Sequence, residues 1–180
     1  MMIESPRLIL RNWQEEEREI FYRLNSDQQV MAFFPSPRSR QESDRLFDSN
    51  CDNLGKAGFG FYALEEKSSH TIVGAVLLLQ TDLEPYITKS TVEIGWRLLP
   101  EYWGRGYATE AARTLITYGF NRLKLAEIVS FAVWNNTRSI AVMRRLGMVE
   151  DKQGGFDHPD VPDRTPHLKR HVLFRFIKTV

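Results

Sequence analysis

At 180 residues, with 42% apolar and 26% charged side chains, the chain is long enough for one sizeable core without staples and has the composition of an ordinary globular domain. A net charge of +1 gives no bulk electrostatic drive toward nucleic acid or a membrane surface, and a single cysteine, Cys51, excludes an internal disulfide or a cysteine-based zinc site. No segment is apolar for long enough to span a bilayer and no basic-then-apolar leader opens the chain, so the expectation is a cytoplasmic protein with one domain over residues 1–180.

In chain order, Arg7 to Arg11 reads as a short strand, and Gln14 to Asn25 as a helix with Ile20, Phe21 and Leu24 on one face. Residues 26–37 are irregular. Their aromatic cluster either packs between helices or, through Phe34, lines a substrate cleft. Arg40 to Leu54 reads as a more polar helix with Gly55 as its C-cap. Gly58 to Leu64 and Thr71 to Gln80 form a hairpin around a polar turn, and the second, nearly apolar throughout, is expected at the centre of a sheet. Further strands are expected over Thr91 to Leu98, Ala126 to Trp134 and Leu168 to Phe176. Helices are expected after Gly106 and from Asn136, an N-cap candidate, to Gly147.

The organising stretch is Pro100-Glu101-Tyr102-Trp103-Gly104-Arg105-Gly106-Tyr107-Ala108-Thr109-Glu110-Ala111, a strand exit, a glycine loop and a helix start. Without Cβ atoms at 104 and 106, several backbone N–H groups can converge on an anion at the helix N-terminus; a plain strand-to-helix turn is the alternative. A nucleotide P-loop needs a Gly-Lys-Ser/Thr tripeptide that is absent. A dinucleotide fingerprint needs Gly or Ala where Thr109 stands.

Trp103-Gly104-Arg105-Gly106-Tyr107-Ala108 resembles the acyl-CoA pyrophosphate loop, Gln/Arg-x-x-Gly-x-Gly/Ala, of the GCN5-related N-acetyltransferases, with a departure at the first position. The longer string through Ala111 is similar to the branch that contains the ribosomal-protein alanine N-acetyltransferases. A second signature of that family, Asn-x-x-Ser then Lys/Arg-x-Gly-Phe, is matched by Asn136 and Ser139 followed by Arg145-Leu146-Gly147-Met148. The resemblance implies an α/β fold, a mixed and mostly antiparallel sheet of about seven strands flanked by helices, in which the strands of Glu93 and Ser130 run parallel and splay apart to admit acyl-CoA. Gly95, inside the first of these strands, is read as marking a bulge or close backbone approach there.

The activity implied is transfer of an acetyl group from acetyl-CoA to a primary amine, either a protein N-terminal α-amine or a small molecule, by direct attack in a ternary complex. Glu93 is the candidate general base, with a surface or Arg-paired carboxylate as the alternative, and Ser139 the candidate proton donor to the departing thiolate, with a favourable first-turn serine as the alternative. Backbone N–H groups from Trp96, Arg97 and Leu98 are expected to receive the oxyanion. Trp103, Gly104, Arg105, Gly106, Tyr107, Ala108 and Thr109 are expected around the pyrophosphate, Asn136 on the pantetheine arm and Arg145 at the phosphates. Arg105 is favoured over Arg138, Arg144 and Arg145 as the main phosphate cation. Phe34, Asp157 and His158 are the acceptor-side candidates, with Asp160 beside them. His167 and His171 are four apart in what reads as a strand entry, so no metal site is expected. The expected partners are acetyl-CoA and an amine acceptor, with no nucleic acid and no membrane, and the chain is expected as a monomer or homodimer. A non-catalytic acyl-CoA sensor or scaffold is the alternative function.

Overall fold

The apolar run Ile72 to Leu79 sits at the heart of the molecule, as its composition requires. A computed structural model describes residues 2–177. Its strands are β1 (Met2–Glu4), β2 (Leu8–Arg11), β3 (Gly60–Glu66), β4 (Thr71–Gln80), β5 (Val92–Leu98), β6 (Glu127–Val133), β7 (Val149–Asp157) and β8 (Arg170–Ile177). The helices are α1 (Arg18–Ser26), α2 (Arg40–Ala57), α3 (Tyr107–Asn121) and α4 (Thr137–Arg145). All eight strands form one sheet in the order β1-β2-β3-β4-β5-β6-β8-β7.

Every strand pair is antiparallel except β5 with β6, whose parallel register is confined to Val92 opposite Ile128 and Glu93 opposite Val129. From there the two strands part. Ser130 stands at the fork and is buried, its Oγ donating to the Ile94 carbonyl at 2.9 Å. That bond satisfies a carbonyl that has lost its ladder partner, since a buried unpaired acceptor costs about 1–3 kcal/mol.

Side-chain alternation assigns the two faces of the sheet. One face carries Val76, Leu78, Ile94 and Leu98 against Ala111, Leu115 and Met143 of α3 and α4. The opposite face carries Phe61, Ala75 and Leu77 against Phe21 and Leu24 of α1 and Phe47 of α2. Phe21 anchors that layer, its ring edge-on to Trp13 at 4.9 Å and to Phe47 at 5.3 Å. Fully burying a side chain of this size contributes about 1.5–3 kcal/mol.

Local signals set the helix ends. Ser39 caps α2 and Glu42 returns the bond to the Ser39 backbone, a capping box. Asn136 Oδ1 accepts from Ser139 N at 3.2 Å and starts α4. The expected C-cap at Gly55 is displaced: α2 continues to Ala57, and Gly58, at φ +74°, takes the left-handed cap position. Eight strands stand where about seven were expected. β1 spans three residues, too few to show alternation. β7 was not expected as a strand, and its polar residues and Gly154-Gly155 accompany a register shift between Asp151 and Phe156 against β8. Gly95 marks no bulge. The β4–β5 register is continuous, and the close approach at Gly95 is by Leu77, whose side-chain carbons lie 3.2–3.3 Å from where a Cβ would stand.

Candidate active site

A cleft of about 1440 Å³ opens where β5 and β6 separate and reaches from the α3 N-terminus through the split to the opposite face of the sheet. At its α3 end lies the glycine loop. Gly104 and Gly106 have φ of +76° and +80°, a left-handed conformation that costs other residues roughly 1–2 kcal/mol each, which is why glycines stand there. The first α3 bond at this end runs from Glu110 N to the Gly106 carbonyl at 3.0 Å, so the amides of Tyr107, Ala108 and Thr109 remain the outward donors of the first turn. Together with the helix dipole they form an anion cradle.

Sequence reasoning missed the clamp that holds this loop. Arg7 Nε donates to Glu110 Oε2 at 2.7 Å, Arg7 N to Glu110 Oε1 at 2.8 Å, and Arg7 Nη1 to the Arg105 carbonyl at 3.0 Å. Ser5 Oγ adds a bond of 2.6 Å to the same carboxylate. The Glu110 carboxyl is held below its ordinary range because these donors outweigh its burial, and so stays ionised beside Arg7. Tyr107, buried under Arg7 with the guanidinium 4.6 Å from its ring, bonds through its hydroxyl to Glu66.

The cations near the cradle differ from the expected set. Arg105 extends over the Tyr102 ring and does not line the cleft, and Arg144 pairs with Glu150 at 3.6 Å. The arginines that line this end of the cleft are Arg113, Arg138 and Arg145. Arg138 lies 4.0 Å from the Trp103 ring, Arg113 bonds the Arg145 carbonyl at 2.9 Å, and Arg145 reaches Thr109 Oγ1 at 3.4 Å. Arg113 was absent from the sequence candidates, although its place one turn beyond Thr109 on the same helix was a usable signal.

At the split itself, Leu99 N bonds the Val73 carbonyl at 3.0 Å, so the odd-numbered backbone groups of β5 turn toward β4. By alternation, those of Ile94, Trp96 and Leu98 turn toward β6. Trp103 Nε1 donates to the Leu98 carbonyl at 2.8 Å, as that orientation requires. Beyond Glu93 no strand pairs this side of β5 among the described residues, which leaves the Trp96 and Leu98 amides facing the split. The Arg97 amide, expected with them, points to β4. Asn136 and Ser139, at the start of α4, line the same part of the cleft.

Glu93, Gly95 and Arg97 project from the other face of β5. Burial pushes the Glu93 carboxyl up to about 7 against the opposing pull of Arg97. Burial, assisted by the charge of Arg38, lowers Arg97 to about 10, still cationic at neutral pH. Arg97 sits 4.6 Å from the Phe34 ring, which is 39% exposed and lines the cleft.

His158 also lines the cleft, but Asp157 does not; it is exposed and faces Arg170 at 3.6 Å. His171, considered only for metal, stands beside His158 with ring centroids 5.1 Å apart and Phe131 packed against both. Burial lowers the pKa of both imidazoles, so both are neutral at pH 7. His171 Nδ1–H donates to the Lys169 carbonyl at 2.8 Å, and His158 Nδ1 accepts from Asp160 N at 3.2 Å. The arrangement thus joins an anion cradle, amides at a strand split and a carboxyl that titrates near neutrality.

This geometry agrees with the comparisons. An uncharacterized N-acetyltransferase of Bacillus subtilis, YnaD, is 27% identical over 164 residues, covering 90% of this chain and 89% of that protein. A GNAT-family acetyltransferase structure from Bacillus anthracis superposes with a TM-score of 0.79 at 24% identity, covering 98% of each chain. A ribosomal L7/L12 α-N-protein acetyltransferase solved with coenzyme A gives 0.78 at 17% identity, again over 98% of each. The sequence model described as the Acetyltransferase (GNAT) domain matches residues 7–149, and with the glycine cradle and the split strand pair inside that span the chain belongs to the GNAT acetyltransferase family.

Proposed function

We propose that the protein transfers an acetyl group from acetyl-CoA to a primary amine, with both substrates bound at once. The observation that carries the reading is Glu93, a carboxyl poised at about 7 beside the point where β5 leaves β6. The fit to acetyl-CoA rests on the cradle and its surroundings. The pyrophosphate sits on the amides of Tyr107 to Thr109, Arg113, Arg138 and Arg145 meet the phosphates, and Asn136 contacts the pantetheine arm as it enters the split.

The acceptor comes from the Glu93 face of the sheet. An alkyl amine is mostly protonated at neutral pH, so its nitrogen becomes nucleophilic only after losing a proton, and a carboxylate with a pKa near 7 accepts that proton far better than one near 4.5. The nitrogen attacks the thioester carbonyl, and the Trp96 and Leu98 amides stabilise the developing oxyanion. Collapse breaks the C–S bond. The thiolate, with an ordinary pKa of about 8.5, is a fair leaving group, and Ser139 donates to it from the α4 start. Binding both substrates across one split supplies the proximity that direct attack needs.

The test is free-thiol release from acetyl-CoA with amines and short peptides, comparing wild type with Glu93→Gln and Ser139→Ala. The reading requires acceptor-dependent release, a loss of about 10²–10⁴ in kcat for Glu93→Gln and a smaller loss for Ser139→Ala. Acetyl-CoA binding without thiol release for any acceptor would refute it.

A further inference from the structure

The acceptor side of the cleft holds two guanidiniums that the transfer chemistry does not use, Arg97 and Arg38. One buried residue, Asn25 at the end of α1, holds the Arg97 guanidinium through its side chain and the Arg38 main chain through its carbonyl. The Asn25 Nδ2 donates to the Phe21 carbonyl at 2.8 Å and to Ser43 Oγ at 3.4 Å, which orients its Oδ1 to accept from Arg97 Nη1 at 2.6 Å. Its main-chain carbonyl accepts from Arg38 N at 2.8 Å. Phe34 and Phe61 flank the Arg97 guanidinium at 4.6 and 5.4 Å and hold its plane.

Neither guanidinium has a carboxylate within ion-pair distance among the described residues, and the two charges repel each other. The acidic groups that share this lobe are otherwise engaged or placed. Glu42 caps Ser39, accepting from its N and Oγ at 2.7 and 2.8 Å, Asp160 neighbours His158, and Glu93 stands four residues before Arg97 on the same strand face. The Arg97 guanidinium, withdrawn from water, with the exposed Arg38 adding positive charge beside it and no carboxylate in ion-pair contact with either, is stabilised by a bound anion. A planar fork of this kind suits a carboxylate or phosphate.

We infer, building on the proposed acetyl transfer, that Arg97 and Arg38 form a receptor for an anionic group on the acceptor, which is a small amine bearing its own carboxylate or phosphate and not a polycation. The amine nitrogen lies at Glu93 and the anion at Arg97. These positions are i and i+4 on one strand face, about 13 Å apart at the Cα atoms, so the acceptor spans them with its two charged ends apart. The neutral pair His158 and His171 adds no cation that would repel the amine end.

The test uses the full chain and saturating acetyl-CoA with matched acceptors: a dipeptide and its C-terminal amide, O-phosphoethanolamine and ethanolamine, and spermidine. The expected result is kcat/KM at least about tenfold higher for an anionic member than for its neutral partner, with the two pairs distinguishing carboxylate from phosphate. Arg97→Gln raises KM for the anionic acceptor by about 10- to 100-fold but not KM for its neutral partner, while kcat shifts for both through the lost pull on Glu93. Arg97→Lys restores part of the effect. Arg38→Gln, an exposed change that does not threaten folding, raises the same KM in the same acceptor-selective way. Equal or better use of the amide, ethanolamine or spermidine overturns the inference while leaving acetyl transfer intact. So does a uniform fall in kcat for all acceptors in both glutamine variants with no acceptor-selective rise in KM. If no acceptor releases thiol although acetyl-CoA binds, the acetyltransferase reading itself fails. Calorimetric binding of the N-acetylated dipeptide acid against its amide then decides the receptor: acid-selective binding lost in Arg38→Gln and Arg97→Gln supports it, and equal binding overturns it.

Discussion

Replacing Glu93 by Gln tests the chemistry and the electrostatics of the site in one variant. Burial pushes the Glu93 carboxyl up to about 7 in the folded chain, against an ordinary 4.5. At 1.36 kcal/mol per pH unit, that difference amounts to about 3 kcal/mol. The sign follows from proton uptake. Below pH 4.5 the carboxyl is neutral in folded and unfolded chains and costs nothing. Between 4.5 and about 7 the unfolded chain ionises while the folded chain keeps its proton, so wild-type stability falls as pH rises, and it levels off above 7. Glu93→Gln removes that fall. Urea unfolding at pH 5 and pH 8 should therefore show the variant ahead of wild type by less than about 1 kcal/mol at the lower pH and by about 3 kcal/mol at the higher one. The same variant should lose the acidic limb of the kcat/KM profile, whose wild-type midpoint lies near 7. A stability difference that does not change between pH 5 and pH 8, or a wild-type limb near 4.5, would refute the reasoning.

Other consequences follow from the cradle and the split. Gly106→Val places a β-branched side chain at φ +80°, with its Cβ 3.4 Å from Arg7 Nη2, and should cost about 1–3 kcal/mol in urea unfolding and weaken CoA binding measured by tryptophan fluorescence. Glu110→Ala removes the acceptor of Ser5 and Arg7 and should cost about 1–3 kcal/mol while raising KM for acetyl-CoA more than KM for the acceptor. Arg113→Gln with Arg145→Gln should weaken CoA binding and flatten its salt dependence, whereas Arg105→Gln should change it little, since Arg105 lies outside the cleft. Ser130→Ala leaves the Ile94 carbonyl without its donor and should cost about 1–3 kcal/mol, measurable by thermal or urea unfolding.

What the sequence disclosed was local in character. The glycine pair, the Asn136 cap, the apolar β4 run and the alternating tail each act within a few residues, so propensity and spacing expose them. The interactions that shape the site are distant in the chain. Arg7 meets Glu110 across 103 positions and Arg97 meets Asn25 across 72, and no periodicity encodes either pairing. His158 and His171 come together only because β7 pairs with β8, a strand hidden in the sequence by its polar residues and its glycines. Arg105 shows the same limit. Its place in the motif is fixed locally, but its side chain lies over the Tyr102 ring, while Arg113, Arg138 and Arg145 line the cradle end of the cleft.

The most direct test of the central claim is thiol release from acetyl-CoA by the wild-type protein across the amine panel, followed continuously with a thiol reagent. The predicted result is release that depends on the acceptor and yields the N-acetylated amine in equal amount. Tight binding of acetyl-CoA with no release above the uncatalysed rate for any acceptor would contradict it and mark the cleft as a binding site without transfer.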